Sequence, residues 1–494
     1  MRINLNLIIV GAFTVALPCT CLAQKRVISL EESIAMARKQ SVQALRAKSS
    51  FVSNYWAWRA YRASRLPSFN LYGTVGSFNR SLVLLQNYQT GEMVYTGTYN
   101  MQNNLGLSLR QVLPATGGTL SLYSDLSRVD QFGTGQSHIW YAQPLSLSYT
   151  QPLFSFNQYK WDEKISPKEY ELARRKYIES MEEVTVKAAS LFFNLHLACS
   201  NYEIAKTNYR NSRKSLEVCK EKVKLGMAKR DENLQLELKV LNDSIAVKEC
   251  MVGVQDARMS LGSFIGLGEK EEIETVLSES LPDLEMNYDF VLGKTFENSS
   301  FALGNEISLL NAEQAIAQAK ANRGLSMRIN AKFGLSNSAG DIEGTYSDLL
   351  DQEVFGVTFS IPIFDWGLGR GRVRKAEAAA EVVKAQVQQS ETDFKRSIFS
   401  AVGQFNNQKS QCEISKRAME ISSERYALML DKFSAGGASV LDLKTAQEES
   451  EAAVRKHVRD MANFWNYYYT IRQLTLYDFI EGRDVEVQFS ELID

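Results

Sequence analysis

The chain carries one plan twice. Gln151-Pro152-Leu153-Phe154 returns as Ile361-Pro362-Ile363-Phe364, and Lys224-Leu225-Gly226 returns around Ser434-Ala435-Gly436, each pair 210 residues apart. In both halves the Pro stands 74 residues before the Gly, so the stretch between them was duplicated without net insertion or deletion. Whatever this stretch builds is built twice, and the function must suit a tandem architecture rather than a single pocket.

Each copy reads as a helix, a set of strands and a long helical hairpin with a Gly at its tip. Ser29 followed by Glu32 is a capping box, and Ile34, Ala37, Val42, Leu45 and Val52 stripe a helix over residues 29–66 that Pro67 ends. The period then falls to two at Phe69, Leu71, Gly73 and Val75; at Leu105, Leu107 and Leu109; at Leu120 and Leu122; and at Leu145, Leu147 and Tyr149, giving four strands. Polar, Gly-containing stretches over 87–100 and 130–137 read as long loops, and Pro114-Ala115-Thr116-Gly117-Gly118 as a tight turn. Helix returns from Pro167 to Gly226, running about 85 Å at 1.5 Å per residue, and resumes over 231–265. There Leu238, Ile245, Val252 and Met259 fall at sevens, with Leu234 and Leu241 between, which is coiled-coil spacing.

The second copy repeats the order. A helix over 290–323 precedes alternation at Met327, Ile329, Ala331, Phe333 and Leu335 and again at Phe355, Val357, Phe359 and Ile361. A helix over 370–433 follows, striped by Val383, Val387, Phe394, Ile398, Val402 and Phe405, and a return helix by Val454, Val458, Met461, Trp465 and Tyr468. The aromatic cluster from Phe464 to Tyr469 lies on that stripe and reads as packing. A strand set flanked by helices needs an even number of strands to enter and leave a membrane from one side, a condition that four and two satisfy.

The N-terminus addresses the chain for export. Arg2, an apolar run over residues 7–17 and Cys21-Leu22-Ala23 read as a signal peptide over 1–23 cleaved before Gln24, with Cys21 as an alternative lipid-attachment site. No later stretch has 18 consecutive apolar residues, which leaves a periplasmic or secreted protein, or an outer-membrane barrel whose alternating strands escape hydropathy. Lys and Arg number 56 against 57 Asp and Glu, giving no electrostatic reason to expect nucleic acid. Cys199, Cys219, Cys250 and Cys412 form no C-x-x-C pair and read as isolated, packed thiols. His138, His196 and His457 are scattered, and neither Gly293-Lys294-Thr295 nor Gly367-Leu368-Gly369 completes a phosphate-binding motif, so no catalytic residue, metal site or cofactor is expected.

The order of these parts resembles the TolC family of outer-membrane efflux and secretion channels. The residues that carry the resemblance are Arg65-Leu66-Pro67-Ser68, the two Pro-containing strand ends, Leu225-Gly226-Met227, and Phe433-Ser434-Ala435-Gly436 followed by Val440-Leu441-Asp442. It implies an α+β membrane protein: a homotrimer whose chains share one β-barrel in the outer membrane, continued by an α-helical coiled-coil tunnel in the periplasm of a Gram-negative bacterium. The domains are then a first repeat over 24–266 with strands at 68–154, a linker at 267–286, a second repeat over 287–477 with strands at 326–364, and a polar tail at 478–494. The chain departs from the family at Gly324-Leu325-Ser326, where the Pro is missing, and in the 85 residues between Pro67 and Pro152 against 37 between Leu325 and Pro362. Family members usually give two strands per half and twelve per trimer. An extra hairpin over 101–129 gives either six strands per chain and eighteen per trimer, or an extracellular hairpin above a standard barrel.

The resemblance implies a passive exit duct of a tripartite efflux or type I secretion system, not an enzyme. Its partners would be two further copies, a periplasmic adaptor, a proton-driven or ATP-driven inner-membrane pump, and outer-membrane lipid. Adding 210 to Glu232 gives Asp442, so both tips carry a carboxylate six residues after their Gly. Asp231, Glu232 and Asp442 match the family's acidic pore constriction, with helix N-capping as the other reading. Leu225, Gly226 and Met227, with Ala435, Gly436 and Gly437, match its adaptor-docking tips, with a glycine C-cap as the other reading. The rival from another class is a soluble periplasmic coiled-coil adaptor or scaffold, whose alternating segments would form a small sandwich.

Overall fold

The computed structural model describes residues 26–86, 91–133, 136–226, 229–268, 271–277, 281–435 and 437–493. The signal-peptide reading and Cys21 lie outside them. In chain order the elements are β1 (Arg26–Ile28), α1 (Leu30–Gln40), α2 (Val42–Ser64), β2 (Ser68–Gln86), β3 (Met93–Leu113), β4 (Gly118–Gln131), β5 (Ser137–Leu153), α3 (Gln158–Lys224), α4 (Arg230–Ile265), β6 (Ile273–Thr275), α5 (Tyr288–Asn298), α6 (Ser300–Ala321), β7 (Ser326–Ala339), α7 (Ile342–Thr345), β8 (Leu350–Ser360), α8 (Leu368–Ala435), α9 (Val440–Thr475), β9 (Tyr477–Asp478) and β10 (Arg483–Asp484). Among the described residues no helix is long and apolar enough to cross a membrane, which says nothing of strands.

The duplication is legible in three dimensions. Ser29 and Asn287 both cap eleven-residue helices, α1 and α5, and lie 258 residues apart. After the strands the offset is 210, so the first repeat holds 258 − 210 = 48 more residues between its first helices and its long hairpin. Ser41 and Ser299, also 258 apart, interrupt what the sequence reads as single helices over 29–66 and 290–323. Both adopt extended backbone, and the Ser41 hydroxyl accepts from the Ala44 N–H while that of Ser299 accepts from Phe301. Each serine is the C-cap of one helix and the N-terminal cap of the next, a break that hydrophobic periodicity does not register.

Three other boundaries differ from the sequence reading. Helix α3 begins at Gln158, with Pro167 inside it, because the Asn157 side chain accepts from the Lys160 N–H and starts the helix upstream of the proline. Strand β3 already runs from Met93, paired with β2 up to Gln86, where a loop over 87–100 is expected; residues 87–90 lie outside the described set. Likewise β4 extends to Gln131 and β5 starts at Ser137, narrowing the expected loop over 130–137. The β3 extension opens on the consecutive apolar run Met93-Val94-Tyr95, opposite Leu82-Val83-Leu84-Leu85 of β2, and the β4 and β5 extensions are mainly polar, so none shows the apolar alternation by which strands are recognised.

The chain divides into two compact units, each drawing on both repeats. One takes its described residues from those up to Leu45, Ser180–Met286 and Ala401–Gln473; the other comprises Arg46–Glu179, Asn287–Ser400 and the residues after Gln473. The second unit holds a six-stranded antiparallel sheet in the order β2-β3-β4-β5-β7-β8. The tight turn at Pro114 joins β3 to β4, with Gly117 at φ 74°, a left-handed conformation that suits glycine. Helix packing in this unit is aromatic: buried Phe51 meets Tyr177 at 5.6 Å and Phe489 of the tail at 5.0 Å, and Phe301 stacks on Phe394 at 3.9 Å.

In the first unit β1 pairs in parallel with β6. The aromatic cluster of α9 is packing: Phe464 and Tyr468 are buried and sit 5.1 and 6.4 Å from Phe405 of α8. A fully buried carboxylate, Glu182 of α3, lies between two arginines, 2.7 Å from Arg38 Nη1 of α1 and 3.2 Å from Arg472 Nε of α9. Burial of a charge is tolerated because each oxygen meets a cation, and removing the carboxylate would strand both guanidinium groups. Glu182→Ala is therefore expected to cost about 3–5 kcal/mol, as for other broken buried pairs, read as a clear fall in the thermal unfolding midpoint; an unchanged midpoint would remove this cluster from the account.

Candidate functional site

Two parts of the molecule carry functional geometry. In the sheet, cross-strand register aligns one row of apolar side chains over five strands, Phe69, Leu109, Leu122, Leu147 and Phe333, and the row ends at Glu353 on the sixth, β8. The neighbouring positions on that face include Leu71, Leu107, Leu105, Leu126, Leu145, Ile329, Phe355, Val357 and Phe359. Phe69, Leu71, Phe355 and Phe359 are each about two-thirds exposed, so no described residue covers this face. The adjacent row, one residue along, reads Ser68, Arg110, Ser121, Ser148, Lys332 and Val354, and with Asn70, Tyr72, Asn104, Asp125, Thr150 and Asn330 makes the opposite face polar. One sheet with an open apolar face replaces the small sandwich that a soluble adaptor would build.

Hydrogen bonds tie the polar face laterally. Tyr72 of β2 lies over Gly106 of β3 and donates its hydroxyl to Asp125 of β4; a Cβ at Gly106 would fall 2.2 Å from Asp125 Oδ1 and 2.6 Å from the Tyr72 ring, so any side chain there would push these two groups aside and break their bond. Lys332 donates to Gln143 Oε1 at 3.1 Å, and Gln143 donates to Gln352 Oε1 at 3.2 Å, joining β5, β7 and β8. Toward the β2–β3 turn, the apolar face changes to aromatic rings with arginines on them, Arg80 at 5.3 Å from Tyr99 and Arg128 at 5.3 Å from Trp140. Amphipathic rings and snorkelling cations are the composition of a membrane–water boundary.

The second part is the pair of hairpin tips. Phe433 and Leu443 of the second repeat bury against Cys219 and Leu236 of the first, and Lys222 donates to the Phe433 carbonyl at 2.9 Å while lying 5.2 Å over its ring. The tips are therefore one packed cluster. Gly226 has φ 72°, and the Gly437 N–H closes the end of α8 by donating to the Lys432 carbonyl at 2.8 Å. Leu225, Ala435 and Gly437 are exposed; Met227 and Gly436 lie outside the described residues.

Of the three acids singled out in the sequence, Asp442 completes a capping box. It accepts from the Ser439 hydroxyl at 2.7 Å and the Ser439 N–H at 3.1 Å, while the Ser439 hydroxyl accepts from the Asp442 N–H at 3.2 Å. These bonds to Ser439 hold the Asp442 carboxyl below its usual range. A depressed carboxylate stabilises the tip above its unfolded pKa, and that contribution is lost as pH falls through the folded value. Asp231 accepts from the Gln235 amide at 2.9 Å, and Glu232, half-buried, follows it in the first turn of α4.

The coiled-coil seam of α4 is present but unpartnered: Leu238, Ile245, Val252 and Met259 are each more than half exposed. A second seam, missed in the sequence, runs down α8 as Ile414, Ile421 and Leu428, again at sevens and again more than half exposed. It was discoverable by its spacing but is diluted among charged neighbours. The four cysteines are free, and burial pushes the Cys412 thiol up to about 11. Gly293-Lys294-Thr295 lies in α5, where Thr295 is buried and bonds the Val291 carbonyl at 2.7 Å. At Gly367-Leu368-Gly369, Asp365 accepts from the N–H groups of Gly367 and Gly369 at 2.9 and 2.7 Å and caps α8.

The fold defined by these parts is that of an outer-membrane channel protomer. The chain aligns with the outer membrane channel CmeC of Campylobacter jejuni at TM-score 0.65 and 13% identity, covering 94% of this chain and 88% of that one. It aligns with the outer membrane protein VceC of Vibrio cholerae at TM-score 0.63 and 14% identity, covering 92% and 97%, and with the open state of the MtrE outer membrane channel of Neisseria gonorrhoeae at 0.58 and 14%, covering 93% and 91%. No curated protein matches the chain significantly by sequence. Residues 299–475 match the sequence model of the outer membrane efflux protein family, and the resemblance to TolC-type channels holds.

Phe433→Ala empties the centre of the tip cluster. A buried Phe→Ala change costs about 3–5 kcal/mol, and the expected readout is loss of amide-exchange protection around residues 219–236 and 429–446, with the strands unaffected. Unchanged protection at the tips would show that the two repeats do not hold each other there.

Proposed function

We propose that this protein is the outer-membrane channel component of a tripartite efflux or type I secretion system, a passive duct formed by three copies. The observation that carries this reading is the two-faced sheet: apolar and open on one side, polar on the other, with free edges at β2 and β8. In water such a face would aggregate, whereas in an outer membrane it meets lipid while the polar face lines an aqueous lumen. The two uncovered heptad seams support assembly in the same way. Being different surfaces on one protomer, they suit a head-to-tail ring, which closes at three copies if each turns by a third of a revolution.

Transport through such a duct consumes no energy in the channel; an inner-membrane pump, proton-driven or ATP-driven, and a periplasmic adaptor would deliver the substrate. The hairpin tips are the gate in this reading. Asp231, Glu232 and Asp442 from three copies would crowd carboxylates around one axis, favouring cations and binding divalent ions weakly. Capping by Asp442 is compatible with this role, because its carboxylate remains fully charged and exposed. The tip segments Leu225-Gly226-Met227 and Ala435-Gly436-Gly437 would receive the adaptor, and docking would separate the packed tips, a two-state repacking rather than chemistry.

The experiment is conductance in planar bilayers. The purified protein should form channels with cation preference and block by divalent ions, and Glu232→Ala with Asp442→Ala should lower both several-fold. Unchanged ion preference in the double variant would remove the gate assignment, and absence of any conductance in the parent would remove the channel.

A further inference from the structure

We propose that each chain places all six strands in the membrane, so that three copies close an eighteen-stranded barrel, with β8 of one copy pairing antiparallel with β2 of the next. This rests on the channel reading above and concerns the number and register of its staves. The 48 surplus residues of the first repeat identify the addition. Since Ser68 corresponds to Ser326 at the 258 offset and Pro152 to Pro362 at the 210 offset, β2 and β5 are the counterparts of β7 and β8, and the hairpin β3–β4 is the insertion.

Its position decides its role. In the second repeat β7 and β8 are direct neighbours, but β2 and β5 are not, because the inserted hairpin lies between them and pairs with both. A hairpin standing above the membrane would leave β2 and β5 bonded to each other. The insertion also carries the apolar row, since Leu109 and Leu122 stand in register between Phe69 and Leu147, and the bond from Tyr72 across Gly106 to Asp125 ties β4 to β2 on the polar side. A water-exposed hairpin has no use for leucines on alternate positions at the level of its neighbours' lipid face.

Register fixes how the ring closes. The row that starts at Ser68, the first residue of β2, passes through Arg110, Ser121, Ser148 and Lys332 to Val354, and β8 continues six residues further to Ser360. Six strands per copy make β2 and β8 run in opposite directions, and Ser68 and Ser360 lie on the same, polar face. Pairing Ser360 with Ser68 of the next copy sets the strand ends flush and shifts the register by six residues per copy. Around the ring this gives a stagger equal to the strand number, hence a tilt of about 35° from the standard rise and strand spacing, at the lower end of the outer-membrane range. The barrel would be about 34 Å across, backbone to backbone, against about 23 Å for twelve strands at the same tilt.

The test is electron cryomicroscopy of the unmodified protein in lipid nanodiscs, together with oxidation of a Ser68→Cys/Ser360→Cys variant in outer membranes. Eighteen strands and a disulfide-linked trimer ladder, absent from either single variant, are expected. A trimer with a twelve-stranded ring and residues 101–129 projecting above it would overturn this proposal while leaving the channel intact. An eighteen-stranded ring without the cross-link would overturn the closing register. Absence of any trimeric membrane ring would instead contradict the channel reading itself.

Discussion

Everything in this protein follows from a sheet that cannot be satisfied by its own chain. Six strands expose a largely apolar face, interrupted at Ser124 and at Asp351 and Glu353 of β8, and among the described residues leave the edges of β2 and β8 unpaired. An apolar face needs either a covering layer or lipid, and a long free edge needs a partner strand. With no covering layer among the described residues, the membrane and further copies of the protein are the solution that meets both needs at once.

The helical part makes the same demand by other means. Within the chain, α1, α3 and α9 are held by Glu182 between Arg38 and Arg472, and the two hairpin tips are held by Phe433 and its neighbours. These contacts complete a protomer yet leave two heptad seams, on α4 and α8, facing outward. Helical stability in water comes mainly from packing an apolar stripe, so exposed stripes of this regularity are interfaces awaiting a partner. The tip cluster joins the two repeats through a few side chains and one lysine, which makes it a natural place for a packing change.

Much of this was written in the sequence, and what was not has physical causes. The Pro and Gly markers gave the duplication because each serves a backbone need that few other residues meet. The apolar alternation located every strand of the sheet, but only over the apolar band; beyond it β2 and β3 carry apolar residues at consecutive positions, Leu82 to Leu85 and Met93 to Tyr95, and β4 is mainly polar, so the period is lost and their ends were invisible. The breaks at Ser41 and Ser299 were hidden because the helices on either side keep their periodicity, and Pro167 was mistaken for a start because Asn157, ten residues before it, caps the helix. Asp442 was recognised as an acid at a tip, while its bonds to Ser439 needed coordinates. Whether the extra hairpin joined the sheet could not be read from alternation, since a leucine every second residue suits a barrel stave or a free hairpin with one packed face.

The two-faced sheet is the claim to test most directly, and β7 offers a ruler. Single cysteines placed along residues 327–334 and exposed to a membrane-impermeant thiol reagent in intact outer membranes should label with period two. Substitutions at Arg328, Asn330, Lys332 and Gly334 should react from the lumen, and those at Met327, Ile329, Ala331 and Phe333 should be shielded by lipid. Uniform labelling of both sets, or protection of both, would contradict a strand with water on one side and hydrocarbon on the other.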